Sequence, residues 1–422
     1  MPRIASRWSL LLIVYLTNTA SLFAAFKAAA LTLSPSQNVL LLSIHTVSMF
    51  VSQVSDFGYS RPAYRNLAQK PELGEQARYY YSVNFQRFLI MLFCLPIGYF
   101  FMPVSEQPLI IVPGILLIVA LSLRSQWLAA ADASLFRTYS ISEIIFSSLS
   151  IAIFVAIILL EYRPTLIVVL SILVAARLGP VIFVSERLFR HLPSAFVLRF
   201  DRDIFRESLA SLGIKLTLFA SHNFNGFFLV MLFTQSEIGL YLQADKLFYA
   251  GVGTFVFLSQ DTVRLAIAGH FRRVPWYVLA VSCLLIASVV AICFAITAPF
   301  FLKLLFSADY VSAAEPLRWM LIGFPFLATN MMLENAYVYL RRHDGFALKS
   351  ALVASLGNLL TVAAAYSMMR PDVAAFGVVA SEGASLGYVI CAFLRKTVQI
   401  GEDSFAKPVA SVCAADRTVG SL

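Results

Sequence analysis

Twelve ionisable side chains interrupt long apolar runs of this chain. The basic ones are Lys27, Arg87, Arg177, Lys215, Lys246 and Arg318. The acidic ones are Asp56, Glu143, Asp245, Asp261, Glu334 and Glu382. A charge near a bilayer centre costs roughly 3 kcal/mol or more, so such residues face a cavity or a partner. Depth sorts them. Lys27 and Arg318 lie within about one helical turn of an apolar boundary, where a long side chain can snorkel out or turn inward. Arg87, Arg177, Lys215 and Lys246 lie about eight or nine residues in, roughly 12 Å at 1.5 Å per residue, too deep for easy snorkelling. We expect these four to line an aqueous cavity. Asp56, Asp261 and Glu334 sit at span ends and Glu143 within about two turns of one, where interface anchoring or a nearby Arg accounts for them. Asp245 and Glu382 are deeper and are expected to pair with cavity cations or carry a coupling ion. Helix neighbours point about 100° apart, which disfavours an ion pair within Asp245-Lys246. The stretch Ser221-His222-Asn223-Phe224-Asn225-Gly226 places Asn223 and Asn225 mid-span, for interhelical hydrogen bonds or a ligand-facing patch. His45 and His222 read as structural. The surplus of cations points to an anionic cargo, because Lys and Arg stabilise phosphate through charge-assisted hydrogen bonds.

The elements that must position these groups are membrane helices. Of 422 residues 59% are hydrophobic and only 13% charged, about half the charged share of a soluble domain. The apolar residues fall in blocks of about 20, the length that spans a bilayer as a helix. The roughly 10-residue alternation of membrane barrels is absent. Twelve spans are expected, near 8–30, 38–60, 80–102, 108–128, 138–160, 165–186, 207–233, 237–262, 275–298, 314–337, 346–368 and 374–395. With the N-terminus inside, twenty-three Lys and Arg fall on inner segments, whereas the outer loops hold only Arg163, Lys303 and Arg370. Basic residues stay on the cytoplasmic side, so both termini are expected in the cytoplasm of a bacterium with the protein in the inner membrane. The fold class is an all-α integral membrane protein. Its expected divisions are a six-helix bundle over 1–186, a cytoplasmic loop over 187–206, a second six-helix bundle over 207–398 and a cytoplasmic tail over 399–422.

Several functions are disfavoured. Five cysteines, Cys94, Cys283, Cys293, Cys391 and Cys413, form no C-x-x-C pair and no His/Cys cluster at metal spacing. We expect no metal, no cofactor and no catalytic residue, since G-x-S-x-G, H-E-x-x-H and P-loop patterns are all missing. The net charge of +9 belongs to the topology-setting loops and not to a nucleic-acid surface. The start, Arg3 and Arg7 before an apolar run, looks like a signal peptide. Its length, and Lys27 ahead of Ala28-Ala29-Ala30, fit an uncleaved first span.

Three segments resemble a known family. Asp56-Phe57-Gly58-Tyr59-Ser60-Arg61, at the inner end of the second span, is similar to the "D-[FL]-G" signature of polysaccharide flippases in the multidrug/oligosaccharidyl-lipid/polysaccharide exporter superfamily. Ile238-Gly239-Leu240-Tyr241-Leu242-Gln243-Ala244-Asp245-Lys246-Leu247 resembles the start of that family's eighth span. Leu305-Phe306-Ser307-Ala308-Asp309-Tyr310 resembles its outer-loop motif, with Ser307 where Gly is usual. The resemblance covers nearly the whole chain by span count and order. It implies two six-helix bundles around a cation-lined central cavity. It also implies transfer of an undecaprenyl-diphosphate-linked oligosaccharide, as in O-antigen synthesis, from the cytoplasmic to the periplasmic face. Lys246, Asp56 and Gly58 match its motifs. Arg87, Arg177 and Lys215 rest on depth alone. The implied partners are the lipid-linked oligosaccharide, membrane lipids and polysaccharide polymerase machinery.

Two other readings stand beside it. A multidrug or cation exporter of the same superfamily would use an acidic residue in the first span, which is absent here. The two further C-terminal spans of lipid II flippases are also absent. A polytopic glycan polymerase or ligase would need a large outer loop, and the longest, Pro299 to Ala313, carries only Lys303 and Asp309 as charges.

Overall fold

A computed structural model describes residues 2–60, 63, 66–67, 72–101, 108–124, 133–192, 200–209, 212, 224–267, 274–333 and 344–395. Every expected span meets a helix within these residues: α1 Pro2–Thr32, α2 Pro35–Asp56, α3 Leu73–Phe101, α4 Ile111–Leu123, α5 Ala133–Leu159, α6 Leu166–Phe189, α7 Phe224–Leu232, α8 Gln235–Ile267, α9 Trp276–Leu305, α10 Ala314–Leu333, α11 Asp344–Ser367 and α12 Gly377–Leu394. No strand occurs among the described residues. Eight of the helices are individually long and apolar enough to cross a membrane, and the chain is a multi-pass membrane protein. The polar helices are those that turn inward. α2 buries Asn38, Ser43, His45, Thr46, Ser48, Ser52, Ser55 and Asp56. By contrast α9 exposes Val281, Leu285, Ile286, Val289, Ile292 and Ile296, an apolar face suited to lipid.

Local chemistry sets the helix ends. Ser34 caps α2 by accepting from the Gln37 amide, and Pro35 fills the first turn, where its missing N–H is no loss. The start of α8 is a capping box: Glu237 Oε2 accepts from the backbone N–H and the hydroxyl of Thr234, each at 2.7 Å. α2 stops at a left-handed pair, Phe57 at φ 48° and Gly58 at φ 79°. Gly58 takes that conformation without the steric cost a Cβ would add. Gly58→Ala is expected to cost about 1 kcal/mol, read as a lower unfolding midpoint of the detergent-purified protein; an unchanged midpoint would mean that the exit relaxes freely.

The first six helices pack mainly on one another, with α1 on α5, α5 on α6, and α4 between α2 and α6. In the second set α9 packs on α10, α10 on α12 and α12 on α11. The segment following α6 docks on the first set. Gln86 Nε2 donates to the Asp201 carbonyl at 3.0 Å, and the Phe57 and Phe205 rings stack at 5.6 Å.

The two sets meet through α1 and α2 on one side and α7, α8 and α9 on the other. Near the ends that lack basic loops, Lys27 Nζ donates to the Lys303 carbonyl at 3.2 Å and Asn38 Nδ2 to the Tyr310 hydroxyl at 2.8 Å. Phe26 stacks on Phe306 at 6.3 Å. A Cβ on Gly239 would come within 2.9 Å of Val39. Further along, Phe50 stacks on Phe227 at 3.7 Å, and the Tyr15 hydroxyl donates to the Ala250 carbonyl at 2.8 Å. Tyr15 lies roughly 25 Å along α1 from Thr32. Beyond that depth, among the described residues, Ser55 bonds Ser122 and Asp56 pairs with Arg87 within the first set. At the end without basic loops the two sets are in contact.

Candidate functional site

The buried charges of the first set form a connected ladder. At its basic end Arg87 Nη2 lies 3.1 Å from Asp56 Oδ1, both buried. Asp56 also accepts from the Ser60 hydroxyl at 2.7 Å, so the motif carboxylate closes the end of α2 and holds Arg87. The Arg87 guanidinium donates to the Arg124 carbonyl at 3.3–3.4 Å. Arg124 in turn grips Glu143 with both arms, Nε to Oε1 and Nη2 to Oε2, each 2.9 Å. Asn18 Nδ2 donates to the same carboxylate at 2.9 Å. Asn18 Oδ1 then accepts from the Ser147 hydroxyl at 2.9 Å and from Arg177 Nη1, and its backbone carbonyl accepts from Arg177 Nη2 at 3.0 Å.

The charges in this ladder do not cancel. Three guanidinium groups, Arg87, Arg124 and Arg177, face two carboxylates, Asp56 and Glu143. The excess sits on Arg177. It is 6% exposed; its hydrogen-bond partner among the described residues is the neutral Asn18, and the carboxylate within its electrostatic reach, Glu143, is already gripped by both arms of Arg124.

Across the interface, Lys246 Nζ is 3.1 Å from Asp245 Oδ2 on α8. The expectation against this local pair fails. The four-carbon lysine stem bends through the angle between the two Cβ directions, and a low dielectric raises the cost of leaving Asp245 unpaired. Gly226 brings α7 close here, since its Cβ would stand 3.3 Å from Thr46 and 3.6 Å from Asp245. His45, beside Thr46 on α2, lies within electrostatic reach of both Lys246 and Arg177. Measured from the ends without basic loops, His45 is ten residues into α2, Arg177 eleven into α6 and Lys246 eleven into α8. That is about 15–17 Å in each case, close to half the bilayer core. Arg177, His45 and Lys246 therefore share one level, with groups from both sets.

The other predicted residues separate from this level. Arg87 is held by Asp56 at the basic end. Lys27 is partly exposed and bonded across the set boundary to the Lys303 carbonyl. Arg318 is exposed on the outside of its set and donates to the Ala295 carbonyl at 3.2 Å. Asn225 Nδ2 donates to the Ala374 carbonyl at 3.1 Å inside the second set. Glu382 is buried beside Asn330, whose amide approaches it at 3.4 Å and the Ser385 hydroxyl at 2.6 Å. Lys215, Asn223, His222 and Glu334, and the side chain of Asp261, lie outside the described residues. A separate groove of about 590 Å³, lined by Tyr81, Leu178, Ile182 and Phe189, opens on the flank of the first set, away from these cations.

Glu143 was expected to anchor at an interface or to meet a nearby Arg, and Arg124 is that Arg; the part of Asn18 in linking the pair to Arg177 was not expected. The available signal was a lone Asn in the apolar first span, which marks an interhelical contact. Arg124 belongs to the inner segments by sequence. The structure instead turns its guanidinium inward to Glu143.

No protein-family profile and no curated protein sequence matches the chain. Solved structures do. One is the lipid II flippase MurJ in an inward closed conformation, with TM-score 0.57, 14% identity, and 97% of this chain and 92% of that one covered. Another is a multidrug resistance MATE family transporter of the MOP superfamily in an inward-facing conformation, with TM-score 0.53, 13% identity, and 94% and 96% covered. The fold is that of these membrane transporters. A third protein with this transporter fold, a MOP superfamily transporter from Pyrococcus furiosus, is described as having a binding pocket of reverse polarity (TM-score 0.51, 11% identity, 93% and 95% covered). At such identities the transporter fold is what is shared, and the Arg177–His45–Lys246 level is this chain's own chemistry.

Proposed function

We propose that the chain is a flippase for an anionic, lipid-linked oligosaccharide carried on undecaprenyl diphosphate. It moves its cargo from the cytoplasmic to the periplasmic face of a bacterial inner membrane, with both termini cytoplasmic. The observation that carries this reading is Arg177, a buried cation at mid-depth whose hydrogen-bond partner among the described residues is neutral and whose carboxylate neighbour, Glu143, is already taken up by Arg124. A diphosphate seated there supplies the missing charge and converts a costly buried cation into a charge-assisted pair. Lys246 approaches from the other set, so the cargo's charge bears on both halves as they rock about the site. Binding drives that rocking only by the difference in affinity between the two states. The lipid tail stays in the bilayer while the sugars occupy the space between the sets. At this level a cationic drug is a poor fit, because the carboxylate there, Asp245, is paired with Lys246.

In cells lacking the gene, complete lipid-linked units are expected to accumulate on the cytoplasmic face. The wild-type gene relieves the accumulation, and Arg177→Ala does not, with flux lowered about a hundredfold, as for loss of a charged hydrogen-bond anchor. Units accumulating on the periplasmic face instead would place the block in polymerisation or ligation and overturn the reading.

A further inference from the structure

We infer that His45 is a third ligand of the anion site, donating from its ring to a phosphate oxygen of the seated diphosphate. This rests on the anionic-cargo reading and adds a residue to it. The ring is 7% exposed, and its Nδ1 has no hydrogen-bond partner among the described residues. Buried polar atoms in native proteins are almost always paired, so an orphan at a functional level marks a bond made in another state. Packing alone does not explain this one. Phe26 meets the ring edge-to-face at 5.7 Å, a contact that phenylalanine would make equally well.

The placement is specific. His45 lies at the same depth as Arg177 and Lys246 and within the field of both. One turn on, on the same face of α2, the Ser48 hydroxyl is fully buried and also without a partner. One turn of α2 thus presents two unsatisfied polar groups at the level where two cations converge. The charged groups facing the ring are Lys246, with its Asp245, from α8, and Arg177 from α6. An anion drawn in by the cations meets His45 at the boundary between the two sets. A neutral imidazole has one N–H to give, and a phosphate oxygen is the acceptor that the two cations would hold beside it. Because α2 contacts both sets, a bond from His45 ties recognition of the phosphate to the helix on which they meet.

The test compares binding of undecaprenyl diphosphate and uncharged undecaprenol to the purified full chain in lipid nanodiscs. His45→Phe is expected to weaken the diphosphate lipid roughly tenfold, the effect of one hydrogen bond to a charged group. Undecaprenol binding and the unfolding midpoint should not change. His45→Gln, which keeps a donor, is expected to restore part of the loss. A structural role would instead lower the midpoint and weaken both lipids alike, which overturns the assignment. So would undiminished diphosphate binding by His45→Phe when Arg177→Gln is weakened. If Arg177→Gln also binds normally, the anionic-cargo reading itself fails.

Discussion

Glu143→Gln is expected to destabilise the protein by about 3–5 kcal/mol, the cost of breaking a buried ion pair from one side. Glu143 accepts both arms of Arg124 and the Asn18 amide at 2.9 Å, and it is 1% exposed. Its removal leaves Arg87, Arg124 and Arg177 facing Asp56 alone. Glutamine preserves the shape and some hydrogen bonds, so the loss isolates charge. The measurement is detergent-driven unfolding of the purified protein in mixed micelles. The pair variant Glu143→Leu with Arg124→Met should recover most of the stability, because a well-packed apolar pair can replace a buried ion pair at little cost. It should not recover transport: without Glu143, Asn18 keeps only the Val14 carbonyl as acceptor and loses the interhelical bond that helps orient it toward Arg177. A loss under about 1 kcal/mol for Glu143→Gln would show that water reaches the ladder and that the pair behaves as an exposed one.

The dependence of Arg177 on Asn18 and Glu143 also shows what sequence could and could not supply. The helices were legible from their apolar blocks, most plainly in the eight that are individually long and apolar enough to cross a membrane. Asp56 and Glu143 were expected to anchor at an interface or to meet a nearby Arg, and each meets one. Which Arg each would take was not legible. Arg124 has Asp132 eight residues on in the sequence, yet its partner Glu143 is nineteen residues away on another helix. Only the packing of α1, α4, α5 and α6 decides that they meet. Depth correctly placed Arg87 and Arg177 inside, but depth does not report partners. Arg87 meets Asp56, thirty-one residues earlier in the chain, while Arg177 meets an amide. The Asp56-Phe57-Gly58 signature was visible as a pattern. Its physical content, a carboxylate that holds both Ser60 and Arg87 at a left-handed helix exit, required the coordinates.

Gly239→Leu is expected to hold the two sets apart at the end without basic loops. A Cβ there already reaches 2.9 Å from Val39, and a leucine adds three more carbons to a contact with no room for them. Overpacking of this kind costs about 1–3 kcal/mol. That cost falls only on the state in which α2 and α8 touch, so it shifts the balance toward the state in which they part, by roughly ten- to a hundredfold. The Phe26–Phe306 stack at the same end opposes the shift, while the Asn38–Tyr310 hydrogen bond is lost in the Asn38→Cys reporter with or without Gly239→Leu and cancels from the comparison. A reporter cysteine at Asn38, 1% exposed in the joined state, reads the outcome in a background with the native cysteines replaced. Membrane-impermeant maleimide added outside intact cells should label Asn38→Cys ten or more times faster when Gly239→Leu is also present, with transport falling in step. Unchanged labelling in a correctly inserted protein would mean that the α2–α8 contact is not the external closure. Faster labelling only from the cytoplasmic side would reverse the orientation taken from the basic loops, and with it the direction of transfer.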